Sequence, residues 1–203
     1  MRISPIGLTI TLSLLVSLPG FAENWKGPYD DAGRKHGNFE LWDDEETMII
    51  EVVTFHNGLR HGKSTIYNPD DSFAKESSYK DGVLHGEYSA YFADGTLKEQ
   101  GKYEDGNAHG TWTKYYPSGR KQAEINYDRG RLHGDFVEYY PALKDEKQSV
   151  QQRLVFRNGL KHGPAETRYN NVENSMNESG EYKEDTRTGT WATWLEMANW
   201  PAR

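Results

Sequence analysis

Six of the seven histidines stand immediately before a glycine: His36, His61, His85, His109, His133 and His162. Imidazole is a metal ligand and a proton carrier near neutral pH, so a recurring histidine raises metal binding first. The spacing argues against a shared ion. If each copy sits on its own pair of strands, neighbouring copies lie roughly 9.6 Å apart, two strand spacings. The ligands of one zinc each lie about 2 Å from it. His56 is the one further imidazole near a copy, and the chain has no cysteine to complete a thiolate site. The recurring histidine therefore reads as a structural group that fixes a turn by a hydrogen bond. No metal or cofactor is expected.

Catalytic constellations are equally absent from the sequence. There is no cysteine nucleophile, no G-x-S-x-G, no Walker loop and no H-E-x-x-H. Carboxylates are plentiful but do not recur as a pair, and a single-layer sheet encloses little volume from which to exclude water. The chain is not expected to be an enzyme. What does recur is aromatic. In an ideal strand, positions two and six past the glycine share a face and position five takes the other. Tyr91, Tyr115 and Tyr139 then form one column; Phe92, Trp112, Tyr116 and Tyr140 belong to the opposite face. One column should pack the units together. The other is the candidate contact surface for a partner, because large aromatic side chains act as interface anchors. The sequence leaves open which is which.

These residues are positioned by a repeat, and its period must be found before any local assignment. The glycines after the histidines are Gly37, Gly62, Gly86, Gly110, Gly134 and Gly163, spaced by 25, 24, 24, 24 and 29 residues. Thr188-Gly189 makes a seventh copy. Seven residues before each of these marker glycines stands Phe55, Tyr79, Tyr103, Tyr127, Phe156 or Tyr182, with Tyr29 of the first copy one place out of register. Five residues after it stands Trp42, Tyr67, Tyr91, Tyr115, Tyr139 or Trp194, and only the sixth copy breaks this column, with Arg168. Asn57-Gly58, Asp81-Gly82, Asp105-Gly106 and Asn158-Gly159 are dipeptides that accept positive φ in tight hairpin turns. The segments between turns are short and rich in Tyr, Trp, Thr and Val. The expected fold is all-β: about seven stacked hairpins in one elongated, twisted antiparallel sheet. At the marker glycine an aromatic ring of the next strand is expected to lie over the missing side chain.

Met1 to Ala22 reads as a secretory signal peptide. Arg2 supplies the positive start, Ile6 to Leu18 an apolar run too short to span a bilayer comfortably, and Gly20-Phe21-Ala22 a cleavage site. The repeat domain is then 23–203, with a cap over the open edge of the stack from about Trp191. The net charge of −7 becomes more negative when Arg2 is lost. Asp43 to Glu46 is expected to be a solvated acidic loop, Lys144 to Gln152 an extended loop and Asn170 to Ser179 a polar, mobile one.

The whole pattern, Tyr-x-Asp-Gly-x-x-His-Gly-x-Trp-x-x-Tyr-Tyr-x-x-Gly at Tyr103 to Gly119, resembles MORN repeats. It looks most like the bacterial variant in YwqK-like proteins described as antitoxins, over about Tyr29 to Leu195. The resemblance implies hairpin stacking and a binding or scaffolding role. The sixth copy departs from it with Ala165 and Arg168 in aromatic columns, which could reflect altered packing or a ligand-facing unit. Together these features lead to the expectation of a periplasmic or secreted protein-binding module, an immunity protein against a basic toxin or effector being the specific form. The alternative is a cell-wall glycan binder or a membrane-associated scaffold. Nucleic acid is excluded by the acidic charge and by export. Direct lipid binding is disfavoured because anionic headgroups repel an acidic chain that has no basic amphipathic stretch.

Overall fold

The computed structural model describes residues 24–141, 148–169 and 176–193. The expected leader, and the expected cap beyond Thr193, lie outside the described residues. Fourteen strands form one antiparallel sheet in sequence order, each paired to the strand before and after it. They are β1 (Trp25–Lys26), β2 (Gly37–Trp42), β3 (Ile49–His56), β4 (Leu59–Tyr67), β5 (Phe73–Lys80), β6 (Val83–Tyr91) and β7 (Leu97–Glu104). There follow β8 (Asn107–Tyr115), β9 (Lys121–Asp128), β10 (Arg131–Tyr139), β11 (Val150–Arg157), β12 (Leu160–Arg168), β13 (Met176–Lys183) and β14 (Thr186–Thr193). The described residues contain no helix.

The turn dipeptides act as expected. Asp105 (φ 48°) and Gly106 (φ 80°) both lie in the left-handed region between the paired residues Glu104 and Asn107, a two-residue loop of the kind whose twist matches that of the flanking strands. Arg129-Gly130 and Glu184-Asp185 adopt the same geometry without an Asx-Gly sequence. Each tip is also clipped sideways. The Gly82 amide donates to the Arg60 carbonyl at 2.8 Å, Gly106 to Leu84 at 2.8 Å and Gly130 to Ala108 at 2.9 Å. The orphan amide of every such tip is thus satisfied by the preceding hairpin.

The marker glycines serve a purpose other than the expected one. Tyr103 faces Ala108 and Lys102 faces His109, but Gln100 faces Thr113, so the register slips at Gly110. Gly110 has φ +69°, and a Cβ there would meet nothing within 4 Å. It is a bulge glycine, required by its backbone conformation. The ring-over-glycine contact occurs nine residues before the marker. A Cβ on Gly101 would lie 2.3 Å from the Trp112 ring, and one on Gly180 equally close to Trp191.

This contact defines the core. On one face of the sheet, the residue nine before the marker meets the residue two after it; their sizes compensate in most units, while the fifth pairs Ile125 with Phe136. Gly101 meets Trp112 and Gly180 meets Trp191; Ser77 faces Tyr88, Val53 faces Ser64 and Leu154 faces Ala165. Leu154 and Ala165 are both buried, and they line a cavity together with Phe136 and Gly180. Around Trp112 stand Tyr88, Tyr103 and Tyr127, with ring centroids 5.2, 5.1 and 6.2 Å away. Tyr29 joins the same face, its ring edge-on to Phe39 at 5.4 Å. It pairs with Lys35 across a longer first tip, which absorbs its offset in the sequence.

Two loop boundaries differ from expectation, while the acidic segment is the exposed loop expected. Asp43 to Glu46 is a structured turn: Asp43 accepts from the Thr47 amide and hydroxyl, both at 2.6 Å, and Glu46 pairs with Lys26 at 2.6 Å. Val150 to Gln152 and Met176 to Ser179 are strand, not loop. Pairing with β10 and with β12 supplies the order in these two segments. Residues 142–147 and 170–175 lie outside the described residues.

Candidate binding surface

The two aromatic columns serve different purposes. Trp112 is 6% exposed, and its indole N–H donates to the Lys102 carbonyl at 3.1 Å. Its ring is committed to the core. Tyr116 and Tyr140 lie just past their strands and reach into the next unit: the Tyr116 hydroxyl donates to the Tyr139 carbonyl at 2.7 Å, and the Tyr140 hydroxyl to the Arg168 carbonyl at 3.0 Å. Phe92 occupies the same place without a hydroxyl, and the Lys98 ammonium lies 5.9 Å from its ring centre. The sequence placed these four residues on one face. The structure divides them into one core residue and three that lie at the far-end turns.

Tyr91, Tyr115 and Tyr139 stand on the opposite, polar face, all half-buried. Each hydroxyl bonds a side chain fifteen residues earlier in the same unit. Tyr91 donates to Glu76 at 3.1 Å and Tyr139 to Glu124 at 2.6 Å, while the Gln100 amide donates to Tyr115 at 2.9 Å. The rings are thus held flat against the sheet by their tips. Around them run cross-strand polar pairs: Lys63–Glu76, Lys102–Glu87 at 2.7 Å, Thr111 to Asn126 at 2.7 Å and Arg153–Glu166 at 3.0 Å. Burial beside Glu124 pushes the Tyr139 phenol up to about 12, burial being the larger cause. Glu124 is held below the usual glutamate range by the Lys121 ammonium first and the Tyr139 hydroxyl second.

The recurring histidines lie at the hairpin-tip end of the strands. His61 Nδ1 is 3.2 Å from Asp81 Oδ1, in the tip of the next hairpin. His85 Nδ1 is 3.4 Å from Asp105, and His109 is 3.6 Å from both Glu104 and Asp128. Of these three, only His61 makes the expected turn-fixing hydrogen bond; His85 Nδ1 has no hydrogen-bond partner, and His109 stands too far from either carboxylate for one. Sequence reasoning missed the row that His36, His56 and His61 make on three successive strands, with ring centroids 5.2 and 5.5 Å apart. The signal was His56 itself, present at that place in only one unit.

Towards each end of the array the core face carries a bidentate arginine–glutamate pair. Glu51, 5% exposed, is held by both guanidinium nitrogens of Arg60 and by the Ser64 hydroxyl at 2.6 Å. Arg187 and Glu178 repeat this pair in β13 and β14, at 2.5 and 2.9 Å. The corresponding places hold Lys75 and Leu84 in the third unit, Glu99 and Ala108 in the fourth, and Ala123 and Leu132 in the fifth.

No curated protein matches the chain. Among solved structures it is similar to one chain in a crystal structure of a GtfA/B complex bound to UDP and GlcNAc, with 13% identity and a TM-score of 0.29. That match covers 67% of this chain and 25% of the other, so the chain spans about a quarter of that protein's length. The sequence model of the family described as MORN repeat variant matches residues 84–105 and 108–129. These segments start within β6 and β8, and each runs through the next hairpin tip. Residues 84–129 thus carry two adjacent copies of the MORN repeat variant, and the sheet of hairpins is consistent with that repeat.

Proposed function

We propose that the chain is a non-enzymatic protein-binding module whose contact surface is the polar face bearing Tyr91, Tyr115 and Tyr139. The single observation that supports this most is the anchoring of those three hydroxyls within their own units. It presents partly exposed rings at roughly 9.6 Å intervals with little side-chain freedom left to lose on binding. The opposite face uses its aromatics to hold the sheet together. The specific form of the proposal is an exported immunity protein that neutralises a basic toxic effector, supported by the apolar leader at Ile6 to Leu18 and by the net charge of −7.

Two measurements test this. N-terminal sequencing of protein recovered from the cell envelope should find Glu23 first; an intact Met1 would remove the exported form. Immobilised wild-type chain and the triple variant Tyr91→Ala, Tyr115→Ala, Tyr139→Ala should then be compared in periplasmic extract. A protein held by the wild type at low salt and released by the variant supports the face. Identical retention by a folded triple variant overturns it.

A further inference from the structure

We propose that His56, His61 and Asp81 form a binding site for a late first-row divalent cation, zinc being the physiological candidate. Their ligand atoms, one per residue, all lie within 4.8 Å of one another. A tetrahedral ion with ligands about 2.0–2.1 Å away needs its donors about 3.3–3.5 Å apart. The closure required is small, and all three side chains are open to solvent and free to make it.

The repeat explains why the site exists here and in no other unit. Marker histidines of neighbouring units are separated by two strands, too far to share an ion. In the second unit the residue before the tip, at the end of β3, is also a histidine. The corresponding places in the following units hold Lys80, Glu104, Asp128, Arg157 and Lys183. His56 therefore stands on the strand between His36 and His61 and halves the gap. Asp81 comes from the next tip, which the Gly82 amide clips to the Arg60 carbonyl, so its carboxylate is fixed beside His61 by backbone bonds. Two imidazoles and a carboxylate are the donor set of zinc, copper(II) or nickel(II) rather than of calcium or magnesium. Water takes the fourth position, with His36 on the other side of His56.

The site would tie the second hairpin tip to the third. Metal should therefore stabilise this end of the sheet as well as bind to it.

The test uses the full chain without a histidine tag. Zinc is titrated by calorimetry at pH 7.5 and pH 5.5, with strand content followed by circular dichroism. One equivalent should bind at pH 7.5, with a rise in melting temperature. Binding should weaken at least tenfold at pH 5.5, where imidazole protonates. His56→Asn, His61→Asn and Asp81→Asn should each weaken it at least tenfold; Asn tolerates the left-handed φ of 49° at position 81. His133→Asn should leave it unchanged. Absence of saturable binding, or binding that survives His56→Asn or is lost equally in His133→Asn, overturns the proposal. Should a variant lose its strand signal, cobalt(II) on the wild type decides: an intense visible spectrum of a four-coordinate site supports the proposal, and the weak spectrum of the aquo ion overturns it.

Discussion

The indole of Trp112 occupies the space where Gly101 lacks a side chain, so close that a Cβ on Gly101 would sit 2.3 Å from a ring atom. Gly101→Ala must move the indole, and the rings of Tyr88, Tyr103 and Tyr127 leave it nowhere to go. A cost of about 2–3 kcal/mol is expected, the upper part of the range for overpacking. Gly110→Ala meets no atom and costs only its left-handed backbone, about 1–2 kcal/mol. Gly110→Asn should recover part of that loss and Gly101→Asn none. Denaturant unfolding of the four variants checks the order; equal midpoints for Gly101→Ala and wild type would remove the indole from the core.

Removal of Arg60 strands a carboxylate. Glu51 is 5% exposed and has Arg60 and Ser64 as partners. Arg60→Ala should cost about 3 kcal/mol, because breaking a buried pair leaves a charge uncompensated. The double variant Arg60→Met, Glu51→Leu should be close to wild type, since Ala123 and Leu132 stand at those places in the fifth unit. A double variant less stable than Arg60→Ala alone would contradict this account.

Stability should fall at both ends of the pH scale at the Lys121–Glu124–Tyr139 cluster, first through the Lys121 pairing of Glu124 at the acid end and first through the burial of Tyr139 at the alkaline end. Glu124 has its folded pKa lowered, so its contribution is present above the ordinary glutamate value and lost as pH drops through the folded one. Tyr139 has its folded pKa raised to about 12, so its contribution is present below 10 and lost as pH climbs toward 12. Glu124→Gln should flatten the acid limb in part, the rest belonging to turn carboxylates such as Asp70 and Asp94, which are also lowered. Tyr139→Phe should flatten the alkaline limb in part, the rest belonging to Tyr88, Tyr103 and Tyr127, which burial also raises. Melting temperatures from pH 3 to 11.5 provide the measurement.

On the tyrosine face, binding and folding should separate. Tyr91→Ala, Tyr115→Ala and Tyr139→Ala should each weaken a partner by about 2 kcal/mol while lowering the melting temperature only by the share of one side-chain hydrogen bond. Trp112→Ala should abolish both together. Raised salt should slow association more than it speeds dissociation. If every variant that loses binding also melts early, the tyrosines are structural and the face is not a dedicated contact surface.

The repeat, its strands and most of its tips were legible because period, Asx-Gly dipeptides and aromatic columns are local signals. The separation of the two faces was not, because parity says which residues share a face but not which face is covered. Gly101 carried the missing information: a glycine nine before the marker, opposite the largest side chain two after it. That signal links residues eleven apart across a bulge, and a column search sees each place alone. Trp112 lies within β8, whereas Tyr116 lies just past its end at Tyr115 and bonds the Tyr139 carbonyl, a reach that alternation along one strand does not encode. The histidine row escaped for the opposite reason, since it depends on the single residue that departs from the pattern.

The tip-to-carbonyl hydrogen bonds all point the same way, each hairpin leaning on the one made before it. A chain emerging from the ribosome therefore never waits for a distant partner. Gly82 finds the Arg60 carbonyl already placed, Gly106 finds Leu84, and Gly130 finds Ala108. Assembly can proceed vectorially, at a cost in loop closure that stays constant as the array lengthens. By the same directionality, a ribosome that stalls midway releases a shorter array whose completed tips have already found their acceptors.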